Sequence, residues 1–158
     1  MQAEWVNHKA AMLSVVGATV KPAVNLGYGT HSLRMRTSCL PCIDDIASLA
    51  LQEGRKVVTT KWLDQIGDLG LAWWYCDDGS KRGKIAVFHT EGYSGAENHL
   101  IRDWLSARFG RVSIADNCKG HLFIRMGVHS SERMWNVVRS HVPSCMAYKL
   151  GGNAGLNL

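Results

Sequence analysis

The sequence predicts an α+β fold in which a helix–hairpin–helix unit occurs twice, the first occurrence being truncated. Three observations lead there. Segments with apolar spacings of three and four alternate with short segments in which every second residue is apolar. AAMLSVVG (10–17) aligns with DWLSARFG (103–110) at an offset of 93, and HSLRMRTS (31–38) with HLFIRMGV (121–128) at an offset of 90; this is the mark of a degenerate internal repeat. The segment LAWWYCDDG (71–79) breaks the symmetry, because its counterpart, roughly ninety residues earlier, would fall before Met1.

Each element has a local reason. Trp5, Ala10, Met12, Leu13 and Val16 space a helix over 2–16. AVNLGYGTHSLRMRTS reads as a hairpin turning near Gly27–Gly29, with Leu33 and Met35 on one face of its second strand and Ser32, Arg34 and Arg36 on the other. A helix follows from Pro41, with Asp44 and Asp45 near its positive end. A short helix at TTKWLDQI leads into LAWWYCDDG. KRGKIAVFHT supplies short strands. SGAENHLIRDWLSARFG is an amphipathic helix with Ser94 and Glu97 as a capping box and Gly110 as its stop. RVSIADNCKGHLFIRMGV is a second hairpin, in which Leu122, Ile124 and Met126 oppose His121, Phe123 and Arg125, and SSERMWNVVRSHV is a helix stopped at Pro143.

Composition narrows the function. With 46% hydrophobic and 20% charged residues in 158, the chain can bury a core and is not a disordered segment. No apolar run approaches the roughly 20 residues that span a bilayer, and MQAEWVNHKAAML lacks the pattern of a signal peptide. Five cysteines, an odd number at mostly wide spacings, argue against a secreted disulfide framework. The chain therefore reads as intracellular, in cytoplasm or an organellar matrix, and not secreted. The net charge of +5 lies wholly beyond residue 99, where eight Lys and Arg face three acids; up to residue 99 ten face ten. Such a field favours a polyanion, nucleic acid being the commonest, although a basic solubilising surface gives the same balance.

At LAWWYCDDG the stripe Leu69, Ala72, Cys76 is small enough for another helix to approach closely. Asp77 and Asp78 fall at the helix C-terminus, where the macrodipole disfavours carboxylates, and Gly79 is expected to supply a left-handed cap. Two readings follow: carboxylates compensated by a divalent cation, Mg²⁺, shared with phosphate oxygens, or an Asp-Asp-Gly turn closing a buried helix. CLPC (39–42) at a helix start is similarly open between a redox pair, half a zinc site and packing cysteines.

With its neighbours, LAWWYCDDGS resembles the second signature helix of the LAGLIDADG homing endonucleases of the single-chain, two-half type. VFHTEGYSGAENHLIRDWLSARFG resembles the strand and helix that follow, CMAYKL the closing segment with an active-site lysine, and EGRKVVTTKWL the segment carrying the first half's lysine. The resemblance runs from Gln2 to Leu150 and implies a saddle of αββαββα halves whose sheets lie along the DNA major groove. It implies three segments: a truncated first half (2–66), a second half with the signature helix (67–150), and a tail (151–158). It makes Asp78 the Mg²⁺-binding catalytic acid and Asp77 a lesser neighbour, with Lys149 and Lys56 acting near the scissile phosphate as water attacks phosphorus. Arg34, Arg36, His121 and Arg125 on the polar strand faces, with Lys81, Arg82 and Lys84 in the post-motif hairpin, would contact phosphates or base edges. The implied function is a metal-dependent, sequence-specific double-strand DNA endonuclease of intron or intein mobility, completed by a second polypeptide carrying the first acidic helix. The alternative is a non-catalytic binding derivative of the fold, an RNA-splicing maturase or ribonucleoprotein subunit, with RNA as its ligand. Departures from the family pattern are the absent first signature helix and hairpin, the short loop between DDGS and VFHT, and Cys76 in place of a plainer apolar residue.

Overall fold

The structure, a computed structural model, describes residues 2–25 and 30–151; the turn expected at Gly27–Gly29 lies outside them. The first part of the chain forms α1 (Gln2–Met12), β1 (Thr19–Asn25), β2 (Thr30–Arg36), α2 (Pro41–Ala50), β3 (Leu51–Gln52), β4 (Arg55–Lys56) and α3 (Thr60–Asp64). The remainder forms α4 (Asp68–Asp78), β5 (Gly79–Arg82), β6 (Ile85–Phe88), α5 (Gly95–Phe109), β7 (Val112–Asp116), β8 (Leu122–Met126) and α6 (Val128–Val138), closing with 3-10 turns at Arg139–His141 and Ser144–Lys149. The mixed helix-and-hairpin class is as the sequence predicts, and α1, β1, β2 and α2 stand in the order of α5, β7, β8 and α6. The expected helix over 2–16 divides, since α1 stops at Met12 and Ser14–Val16 tightens into a 3-10 turn ended by Gly17 at φ +67.

The two repeats differ in what their hairpins join. β7–β8 adds to β5–β6 to make an antiparallel sheet of order β5-β6-β8-β7. Among the described residues β1–β2 pairs only with itself, from Thr19↔Arg36 to Asn25↔Thr30. The core accordingly sits on the inner face of the four-stranded sheet, where Ala86, Phe88, Ile124 and Met126 meet Leu71, Ala72 and Tyr75 of α4, Ile101 and Leu105 of α5, and Met134, Trp135 and Val138 of α6. Val58 and Leu63, from the segment leading into α4, are buried in this same core. α2 buries nothing fully, and its Ile46 is 58% exposed.

Local chemistry holds the elements in register. The Ser94 hydroxyl accepts from Glu97 N–H while Glu97 accepts from Ser94 N–H at 2.7 Å, the predicted capping box. The β7–β8 hairpin turns on Asn117, whose Oδ1 accepts from the N–H groups of Lys119 and His121, with Gly120 at φ +75. Inside the core, Ser131 Oγ accepts the N–H of Ala86 at 2.8 Å and donates to the Gly127 carbonyl, locking α6 to β6.

A candidate active site and nucleic-acid face

α4 carries the acids and is tethered at both ends. At its start Asp68 pairs with Arg108 at 2.7 Å. At its end Lys149 Nζ donates to the carbonyls of Cys76 (2.6 Å) and Asp77 (3.4 Å), so an ammonium sits on the negative pole of the helix. Lys149 is held in turn by Tyr75, whose hydroxyl donates to the Lys149 carbonyl at 2.9 Å and accepts from Trp135 Nε1 at 3.1 Å. Burial pushes the Tyr75 phenol up to about 12, with the Trp135 bond opposing it. The expected left-handed cap at Gly79 is not formed. Its φ is −95, extended, because the chain enters β5 with no intervening loop. Glycine is needed there for another reason: a Cβ would overlap the ring and carbonyl of Tyr75.

The adjacent acids have opposite surroundings. Asp77 Oδ1 accepts from Trp5 Nε1 at 2.7 Å and from Lys9 Nζ at 2.8 Å, and Lys9 also reaches Oδ2 at 3.0 Å. Among the described residues the Asp78 carboxylate has no hydrogen bond or ion pair; only its backbone carbonyl is used, by His89 N–H at 2.8 Å. Burial raises the Asp78 pKa, the Asp77 charge raises it further, and Lys149, His89 and Lys9 pull it back. The Lys149 pKa is lowered by burial, against the charges of Cys76, Asp77 and Asp78. The helix stripe is less open than the sequence suggests: Leu69 is 40% exposed, but Ala72 and Cys76 are buried, Cys76 beneath Trp5 and Met146.

Three further side chains form a chain through His89, whose charge acts on Asp78. His89 Nε2 lies 3.0 Å from Ser80 Oγ, and its Nδ1 lies 3.0 Å from Glu91 Oε1. Burial draws the Glu91 pKa up, but the His89 bond and charge bring it below the ordinary glutamate value, so the carboxylate holds Nδ1–H and leaves Nε2 to the Ser80 hydroxyl. The loop bearing them is fixed by the buried Asn98, whose amide donates to the carbonyls of Thr90, Tyr93 and Ser94. The Tyr93 phenol is raised by burial and then by the charges of Asp78 and Glu97.

The structure joins some predicted site residues and separates others. Asp78 and Lys149 come together. Lys56 is exposed on β4, with no hydrogen bond or ion pair to Asp77, Asp78 or Lys149 among the described residues. It lines a cavity of about 330 Å³ with Trp62 and Tyr93. Arg34 and Arg36 are exposed on β2 and share a cleft of about 180 Å³ with Lys21 of β1, which pairs directly with Arg34. On the sheet, Val87 pairs with both Ser80 and Arg125, so Ser80, Arg82 and Arg125 share the face opposite the core. Lys81 has the other parity, opposite Ala86, and is exposed at the sheet edge, while Lys84 lies in the β5–β6 turn. His121 is exposed just before β8. Phe123, on the same face as Arg125, is only 8% exposed because the Arg82 guanidinium lies over its ring at 5.4 Å.

Lys9, Trp5, His89, Ser80, Glu91, Tyr93 and Lys21 went unmarked in the sequence. For His89 and Glu91 the signal was their place in VFHTEG, just after the acidic helix. Trp5 and Lys9 had none, being some seventy residues away from Asp77 along the chain. No group of three or more His, Cys, Asp or Glu able to hold a metal occurs among the described residues. The donor chemistry at Asp78 still suits a hard cation, since Mg²⁺ is commonly held by one or two carboxylates, with waters and phosphate oxygens completing its shell.

Comparisons with known proteins bear on the family and the fold. A model of the LAGLIDADG DNA endonuclease family matches residues 1–134. Probable intron-encoded DNA endonuclease 3 of Mycosarcoma maydis is 27% identical over 90 residues, which are 56% of this chain and 66% of that protein. The chain thus spans just under two thirds of that relative's length. The fold matches the homing endonuclease I-WcaI, solved bound to its DNA recognition sequence, with a TM-score of 0.81 and 23% identity over 98% of this chain and 73% of that one.

Proposed function

We infer the function from one established point: the chain belongs to the LAGLIDADG DNA endonuclease family. It acts, on this reading, as a Mg²⁺-dependent, sequence-specific DNA endonuclease of homing type, with Asp78 as the acid that holds the metal. The supporting observation is the contrast at the end of α4. Asp77 is paired within the protein by Lys9 and hydrogen-bonded by Trp5, whereas Asp78 is partly desolvated, repelled by Asp77 and, among the described residues, has no hydrogen bond or ion pair to its carboxylate. A carboxylate in that state binds a cation with gain.

The bound Mg²⁺ would supply Lewis-acid polarisation of a phosphoryl oxygen. The protein's own groups do the rest. Lys149, fixed on the carbonyls of Cys76 and Asp77, holds a positive charge beside the place where negative charge develops on the phosphate. Tyr75 and Trp135 are positioning residues for it. His89, oriented by Glu91, can hold or pass a proton next to Asp78. DNA lies across the face bearing Arg82, Arg125 and His121 and continues onto Arg34, Arg36 and Lys21, with Lys81 and Lys84 reaching the backbone at the edge; Lys56 serves as the first half's lysine. Residues 67–150 form one half of the enzyme and 2–66 belong to the other, with 151–158 as a tail. α1 aligns with α5 and not with α4, so the second acid comes from a signature helix supplied outside these residues.

The test selects a binding sequence from a randomised duplex library with residues 1–158, then assays cutting in Mg²⁺ and binding in Ca²⁺, with and without a polypeptide carrying a second acidic helix and hairpin. The reading expects double-strand cleavage with the second polypeptide only, and its loss in Asp78→Asn with binding kept. Undiminished cutting by Asp78→Asn removes that residue from the site. A chain that prefers RNA and does not cut with any partner is instead the non-catalytic binding derivative of the fold.

A further inference from the structure

The second repeat has neighbours that the first lacks. In the second, β8 is flanked by β7 and β6, and α6 packs against α4, β6 and α5, burying Met134, Trp135 and Val138. In the first, α1 lies over β1–β2 as α5 lies over β7–β8. β2, however, has no strand along its outer edge among the described residues, and α2 packs chiefly on α3 and β3 with no side chain fully buried. Between α2 and the segment from β4 to α3, the cavity of about 330 Å³ opens among Ala47, Ala50, Lys56, Val58, Trp62 and Tyr93. Its wall is fixed, since the Val58 N–H donates to Glu97 Oε1 at 2.8 Å and Val58 is buried in the main core. α2 and Lys56 correspond to α6 and Lys149, and the matching place in the second repeat is filled. Tyr75 of α4 stands there, bonded to the Lys149 carbonyl and to Trp135 of α6. Lys149 Nζ, on the carbonyls of Cys76 and Asp77, closes the end of that helix. Arg55 and Lys56 are instead exposed, with no acid paired to either among the described residues.

We propose that the cavity beside α2 is the seat of a second acidic helix, supplied outside residues 1–158, which places a large apolar or aromatic side chain between Ala50 and Val58. Its carboxylate-bearing end reaches Arg55 and Lys56, cations suited to the negative pole of a helix. The hairpin that follows it pairs along the open edge of β2, as β6 pairs along β8. The seat also covers Leu51, an exposed apolar side chain on its wall. A second copy of this chain does not fit, because its own acidic helix is committed: Leu71, Ala72 and Tyr75 of α4 are buried in its core. The seat rests on the endonuclease reading for its occupant, and it adds where on this chain the partner docks.

The experiment appends a copy of residues 67–90, which hold α4, β5 and β6, to the N-terminus of the full chain through a flexible linker. Amide hydrogen exchange is then followed by mass spectrometry with no DNA present. In the chain without the added segment, residues 41–58 should exchange faster than α6 by about tenfold or more. The added segment should slow exchange of 41–58 and of 30–36 by about tenfold or more. Ala50→Trp fills the cavity, so it should cancel that protection while the variant without the segment melts no lower than wild type. Lys56→Glu, at an exposed position, should weaken the protection by repelling the acidic end of the helix. Protection that is absent, or kept in both variants, overturns the seat. So does a chain without the segment in which 41–58 is as protected as α6, or becomes so as protein concentration rises, the mark of a second copy. Binding and cutting of the selected duplex are scored separately. Protection by the segment with no binding or cutting of DNA keeps the seat and overturns the endonuclease reading; double-strand cutting without protection does the reverse.

Discussion

Replacing each acid of the Asp77–Asp78 pair by its amide should separate stability from function in opposite directions. Asp77→Asn breaks the ion pair with Lys9, whose side chain is 17% exposed against 44% for Asp77. A half-exposed pair contributes about 0.5–1 kcal/mol. The Trp5 indole also exchanges a charged acceptor for a neutral one, a further loss of up to about 1 kcal/mol. At about 2–4 °C per kcal/mol for a chain of this size, Tm should drop by about 1–8 °C. Asp78→Asn has no partner to lose. Its folded pKa is raised by burial and by Asp77, so the ionised carboxylate opposes folding above that raised value, and the opposition fades as pH falls toward the unfolded pKa. Asp78→Asn should therefore melt at or above the wild-type temperature at neutral pH, and the gap should close in acid. Cleavage should invert the order, with Asp78→Asn reduced by at least about 10²-fold and Asp77→Asn retaining most activity once folded. Melting from pH 4 to 8 and cleavage of a selected duplex measure both. Asp78→Asn melting as low as Asp77→Asn would refute the claim that its carboxylate is unpartnered, and equal loss of cutting would refute the division of roles.

Three other outcomes are expected. Tyr75→Phe strips the acceptor from the buried Trp135 indole and the tether from the Lys149 carbonyl, and should destabilise by about 1–3 kcal/mol while lowering cleavage more than DNA affinity. Glu97, whose pKa burial raises but Ser94 and the Val58 and Ser94 N–H groups lower overall, stabilises the fold above its unfolded pKa and ceases to as pH falls through the folded value; in Glu97→Gln that acid-sensitive component of melting should disappear. Thiol alkylation of the native protein should modify Cys39, Cys42 and Cys118 quickly and spare Cys76, which is buried and pushed up to about 11 by burial; rapid labelling of Cys76 would show that Trp5 and Met146 do not cover it.

What the sequence conveyed was what short segments decide by themselves. The α5 capping box needs only Ser94 and Glu97, and the alternation of β2 needs only Leu33, Arg34, Met35 and Arg36; both appear as expected. The position of Asp78 at a helix end followed from local pattern too. Failures arose where distant segments meet. Gly79 was expected in the left-handed region because it follows a helix, but β5 starts at once and the Tyr75 ring decides the requirement instead. The difference between Asp77 and Asp78 depends on Trp5 and Lys9, which no spacing connects to them. Phe123 alternates with the polar residues as predicted, yet Arg82 from another strand covers it. The post-motif basic residues likewise looked equivalent until pairing assigned Arg82 and Lys81 opposite parities.

The direct passage from α4 into β5 bears on how such a protein can change its target. Asp78 is the last residue of the helix and Gly79 the first of the strand, with Tyr75 filling the space where any larger residue would stand. A one-residue insertion there would invert the strand and carry Ser80 and Arg82 to the core side. Acid and sheet are thus geared together, without slack to be lengthened or trimmed. Lineages of this fold would diversify by exchanging side chains on the exposed face, or by altering the far hairpin at Gly83 and Lys84, while the junction stays invariant in length.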